Sequence, residues 1–149
     1  EEPLEKLIKL REKPKIITSN FRWVSKSSCF RLTTEVNLKK SYELLILKGQ
    51  WIVERQEVYL NLVYKNTYKI WALHFHPNHK NPDCCPSERL HPFPRLHEHY
   101  PSSCAPDGKC AKKSYYTKLE YFDINKKLKG FCDMCNIDLN GKYDRSLPL

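Results

Sequence analysis

Five segments between Ile16 and His76 restrict the fold of this chain more than any other feature. Residues 21–24, 29–36, 42–47, 57–64 and 68–76 are rich in Val, Ile, Leu, Thr, Tyr and Trp, the residues that suit a pleated, half-buried surface. Polar turns such as Lys48-Gly49-Gln50 and Lys65-Asn66-Thr67 separate them. These connections are too short for the crossovers that parallel strands need, so the spacing predicts an antiparallel sheet. Two helical patterns flank it. Residues 3–12 place Leu4, Leu7 and Ile8 on one face, and Pro14 stops the helix. Residues 123–137 place Ile124, Leu128, Phe131, Cys132 and Cys135 on one apolar face, with Asp123 as N-cap. The expected class is α+β: an antiparallel sheet of about five or six strands, a C-terminal helix packed on one face and a short N-terminal helix. A length of 149 residues suits a single domain over 1–149.

Residues 77–113 show little periodicity and carry seven of the ten prolines. A stretch this long without regular structure is usually functional or pinned. All six histidines fall between His74 and His99, and two pairs read H-x-H: His74-Phe75-His76 and His97-Glu98-His99. Residues i and i+2 of a strand share a face. In 68–76, Trp71, Leu73 and Phe75 fall toward the core, while Ile70, Ala72, His74 and His76 are displayed on the second face. A short strand over 96–100 would put Arg95, His97 and His99 on one side, facing the first pair if the two strands meet. Three readings stay open for this cluster: metal ligation, metal-free acid–base chemistry on a phosphodiester, and hydrogen-bonded structural histidines. No Gly-rich phosphate loop, G-x-S-x-G or H-E-x-x-H is present.

Seven cysteines is an odd number, which argues for a reduced, cytoplasmic setting rather than a secreted disulfide framework. Cys132-Asp133-Met134-Cys135 is a CxxC, but both thiols lie on the apolar helix face, where free Cys packs as a small hydrophobe. The turn signal Pro106-Asp107-Gly108 brings Cys104 toward Cys110. With Cys84 and Cys85, and His91 as a further ligand, these make a structural zinc staple one reading of the loop. Unligated thiols or a disulfide are the others.

The formal charge is +9, with 11 basic against 6 acidic residues in 1–50, 6 against 5 in 51–100 and 9 against 6 in 101–149. The excess sits on the flanks. RNA, DNA or an acidic protein fits such a balance, as does a merely soluble basic surface. No apolar run approaches the roughly 18–20 residues of a membrane span. The start at Glu1-Glu2-Pro3, with Met134 the single methionine, reads as a fragment or a processed product.

The segments His79-Lys-Asn-Pro-Asp83 and Pro94-Arg-Leu-His97-Glu-His99-Tyr100, followed by Phe131-Cys-Asp-Met-Cys-Asn-Ile137, resemble, in that order, the TumE-like proteins of prokaryotic toxin–antitoxin loci. The resemblance covers roughly residues 20–137. Cys84-Cys85 stands where those proteins carry a glycine, Arg95 replaces a histidine, and a Cys/Pro-rich insert separates the blocks. The resemblance implies an antiparallel sheet, a buried C-terminal helix and an antitoxin protein as partner. With the histidine clustering and the basic charge, it suggests a toxin-like protein acting on RNA by ribonuclease-type chemistry. His79, His97 and His99 are then the catalytic residues and Arg95 a phosphate contact. Lys80, Asn81, Asp83, His74, His76 and Tyr100 are the substrate side. The alternative is a non-enzymatic, zinc-stapled module that binds nucleic acid or protein.

Overall fold

The computed structural model describes residues 2–76, 79–85 and 96–148. Among these residues the chain runs α1 (Leu4–Glu12), β1 (Lys15–Ile16), β2 (Val24–Lys26), β3 (Cys29–Leu38), β4 (Leu44–Ile52), β5 (Glu57–Tyr64), β6 (Tyr68–Phe75), β7 (Leu96–Tyr100), β8 (Cys110–Lys113), α2 (Ile124–Met134) and β9 (Ile137–Asp138). All nine strands join one sheet, in the order β8-β7-β6-β5-β4-β3-β1-β9, with β2 on β3. Every pairing is antiparallel except β1 with β9. The class is therefore α+β with a mostly antiparallel sheet, and it has more strands than the five or six expected.

The additional strands are short. β1, β8 and β9 have two to four residues, too few for periodicity to register, and they exist because a neighbouring edge offers free backbone groups. One expected turn is not a turn. β4 runs straight through Lys48-Gly49-Gln50, and Gly49 pairs with Leu32 and Leu60. A Cβ at Gly49 would lie 2.7 Å from the Trp23 ring. The glycine marks a close approach of a side chain to the sheet rather than a reversal. Lys65 and Asn66 do make the expected turn, with φ of 53° and 57°.

Cross-strand register fixes which residues share a face. Leu47 stands opposite Leu62, Leu62 opposite Trp71, Leu60 opposite Leu73, and Val58 opposite Phe75. A bulge at Leu62/Val63 absorbs Ile70 and preserves this alignment. These side chains form one buried cluster with Leu7 and Leu10 of α1 and Leu128, Phe131 and Cys132 of α2. Burying each such side chain contributes about 1.5–3 kcal/mol. Asp123 caps α2, its side chain accepting from Lys126 N at 2.9 Å. Cys132 and Cys135 are wholly buried, and burial raises both thiols' pKa values, that of Cys135 to about 12.

Lys15 ties the layers together. Its ammonium is wholly buried and donates to the carbonyls of Arg11, Lys13 and Cys135 at 2.6, 2.7 and 2.5 Å. These oxygens lie at the negative ends of α1 and α2. Burial pushes its pKa down to about 8, and the three acceptors hold the charge at neutral pH. Arg11 stacks 3.5 Å from the Trp71 ring and so ties α1 to β6.

Candidate histidine site

The opposite face of the sheet changes character from one edge to the other. On β3, Arg31, Thr33 and Glu35 point to solvent. On β5, Tyr59 and Asn61 are half-buried. On β7, His97 and His99 are 1% and 4% exposed. The two H-x-H segments meet as the alternation predicts: β6 pairs with β7, and His74 stands directly opposite His97. The histidines lie on the second face, but they are not displayed there. Loops over 79–85 and 101–109 fold back and cover them.

Covering such polar groups requires partners, and the loops supply them. His99 Nδ1 donates to the Gly108 carbonyl at 3.2 Å. Gly108 has φ of 87°, and a Cβ there would lie 2.5 Å from the Lys69 carbonyl oxygen, so this contact needs a glycine. Lys69 N donates to the Asp107 carbonyl at 3.1 Å, anchoring the same loop to β6. His74 Nε2 donates to Asn61 Oδ1 at 2.8 Å. His79 Nε2 donates to Asn81 Oδ1 at 2.9 Å. Asn81 also accepts from Ala111 N and donates to Ala111 O, at 2.8 and 2.9 Å, so it pairs with the outer edge of β8 like a short strand.

The result is a nest of four imidazoles. Ring centroids lie 4.4 Å apart for His74 and His99, 5.6 Å for His74 and His97, and 5.1 Å for His97 and His99. His79 stacks on His97 at 5.4 Å and stands edge-on to His99 at 4.6 Å. One ring nitrogen from each of His74, His97 and His99 lies within 4.8 Å of the other two. His99 Nε2 is buried with no hydrogen-bond partner among the described residues. Burial, then the charges of Lys69 and neighbouring histidines, pushes the His99 pKa down to about 2. Burial and then the His99 charge put His74 well below its ordinary value. Both shifts favour the neutral rings, whose free nitrogen lone pairs can accept a proton or bind a cation.

The nest forms the floor of an open pocket of about 360 Å³, also lined by Tyr59, His76, Pro82, Lys69, Lys80 and Lys109. A larger concavity of about 720 Å³ lies against Trp51, Val58, Phe75 and Ile124. It gathers no comparable set of titratable groups, so chemistry favours the smaller pocket.

The other expected site residues fall in varied places. His76 packs edge-on to Tyr59 at 5.7 Å. Asp83 is exposed in a turn. Asn81 is buried, and its side chain holds Ala111 and His79 rather than facing the pocket. Tyr100 is on the opposite face of β7 from the histidines, against Trp71 at 6.3 Å. Arg95 and His91 lie outside the described residues. The four loop cysteines converge as expected but are oxidised: Cys84 is bonded to Cys104 and Cys85 to Cys110. The odd count thus resolves into two disulfides and three free thiols, Cys29, Cys132 and Cys135. No described helix is long and apolar enough to cross a membrane.

Asn61, Lys69, Gly108 and Lys109 were not legible as site residues. Asn61 had one available signal: it and Tyr59 are the polar members of an otherwise apolar alternation, on the same parity as His74 across the strand pair.

No protein-family model matches this chain, and no curated protein or solved structure matches it either.

Proposed function

We propose that this protein acts on RNA through the histidine pocket, as a toxin-type protein whose partner is an antitoxin. The observation that carries the reading is the pocket itself. Three lysines line an opening over four clustered histidines, so a phosphodiester would be drawn in by charge and meet groups able to bind a metal or move a proton. His79 is half-buried where His97 and His99 are buried, and it lines the pocket, which suits it to proton transfer. The resemblance to TumE-like proteins supports the RNA substrate and the partner.

Purified protein incubated with single-stranded RNA tests this. Cleavage is expected, falling in a Lys80→Ala/Lys109→Ala variant and lost in His97→Ala/His99→Ala. In cells, the parent chain should slow growth and the double histidine variant should not. Intact RNA and equal growth would refute the reading.

A second reading rests on the loop cysteines. Sulfurs of Cys85, Cys104 and Cys110 lie within 4.8 Å of one another, and Cys84 is bonded to Cys104. In a reducing cytoplasm these four thiols would form a tetrahedral structural zinc site, and the protein would be a stapled binding module with structural histidines. Salt-dependent RNA binding without turnover distinguishes it.

A further inference from the structure

We infer that His74, His97 and His99 form a binding site for a divalent late first-row cation, zinc foremost, with an open coordination position facing the lysine-lined pocket. This deepens the histidine-pocket reading and rests on it for the pocket's role, although metal binding can be tested by itself.

Three observations converge. The first is spacing. Ligand nitrogens sit about 2.0–2.1 Å from zinc, so three nitrogens already within 4.8 Å of one another need to move by less than about 1 Å each to share an ion. The second is the state of His99. Its Nδ1–H donates to the Gly108 carbonyl, which fixes the tautomer and leaves a lone pair on Nε2. That nitrogen is buried without a partner among the described residues. A buried acceptor left unsatisfied is destabilising, and a cation at the centre of the nest would satisfy it. The third is the supporting shell. Metal-bound histidines usually give their other N–H to a carbonyl or carboxylate, which orients the ring. Here Gly108 O does so for His99 and Asn61 Oδ1 for His74.

The ligand chemistry narrows the ion. Among the described residues, five imidazoles, three of them the proposed ligands, and no carboxylate line this pocket, a set that suits zinc, copper, nickel or cobalt and not calcium or magnesium. Three protein ligands leave zinc one position for water or a substrate oxygen. Lys69, Lys80 and Lys109 beside that position favour an anionic oxygen over another cation. His79 packs against two of the ligands, its ring centroid 5.4 Å from that of His97 and 4.6 Å from that of His99, with its Nε2 held by Asn81.

The two disulfides make the test clean, because in the oxidised protein the loop cysteines cannot act as thiolate ligands. Zinc(II) alone is titrated by calorimetry into the full, non-reduced chain after stripping with chelator. One zinc per chain is expected, and uptake is lost in His74→Gln and in His99→Gln but retained in Cys132→Ser. Asn61→Ala keeps all three ligands and should weaken binding about 10–100-fold. Should a histidine variant not fold, cobalt(II) bound to the parent chain decides. Visible bands of nitrogen-bound cobalt without thiolate charge transfer support the site. Absence of uptake by the parent chain, uptake indifferent to both histidine variants, or a thiolate spectrum would each overturn it. Zinc uptake without RNA cleavage leaves this site standing and defeats the RNA reading. Cleavage by protein that takes up no zinc does the reverse.

Discussion

The two faces of one sheet are built from alternate residues of the same strands, yet they are held by different physics. On one face Leu60, Leu62, Leu73 and Phe75 meet Leu7, Leu128 and Phe131, and apolar burial supplies the cohesion. On the other, His74, His97 and His99 are covered by loops whose buried apolar cluster among the described residues is small, Cys85, Ala105 and Cys110. Those loops are fixed by two disulfides, by Asn81 on the edge of β8 and by Gly108 against Lys69. The first face needs only water to drive it. The second buries neutral imidazoles, and only covalent and polar tethers make that tolerable. A site of this kind is kept by the fold rather than by its own burial energy.

The largest expected effect breaks the first face. Phe131→Ala removes a wholly buried ring from the shared cluster and should cost about 3–5 kcal/mol by urea unfolding. A loss below about 1 kcal/mol would mean that α2 does not share that core.

Next comes the tether. Replacing Cys85 and Cys110 by Ser removes a closure spanning 25 residues, worth about 2–4 kcal/mol. The loss should be local. In hydrogen exchange, the Lys69 and Ala111 amides, bonded to Asp107 and Asn81, should lose protection, while β3 and β4 keep theirs. Uniform loss across the sheet would erase the distinction between the faces.

The smallest effect is the acid response of metal-free protein. His74 and His99 have folded-state pKa values below the ordinary 6.5, that of His99 at about 2. Below about pH 6.5 the unfolded chain takes up protons that the folded chain refuses, so stability is full above that pH and falls as pH drops. Two such histidines predict a loss of about 2 kcal/mol between about pH 6.5 and 5.5. His99→Gln should halve it. A flat stability profile over that interval would show that the rings are open to water.

Some of this was legible in the residues. The β5 and β6 alternations, the turn at Lys65-Asn66, Asp123 as a cap and the meeting of the two H-x-H pairs all follow from a period of two or of 3.6 and from local turn chemistry. Lys48-Gly49-Gln50 misled, because a glycine that admits Trp23 to the sheet and a glycine that turns a chain are identical in sequence. The alternation in 96–100 already sets Tyr100 on the face opposite His97 and His99, where it meets Trp71.

The sequence by itself determined which residues alternate, hence that four histidines could share a side of the sheet. Only the tertiary structure decided that this side is buried at one edge and bare at the other. That depends on where the loops over 79–85 and 101–109 return. Their path is set by contacts far apart in sequence, Asn81 with Ala111, Gly108 with Lys69 and Cys85 with Cys110, and such contacts have no periodicity to betray them.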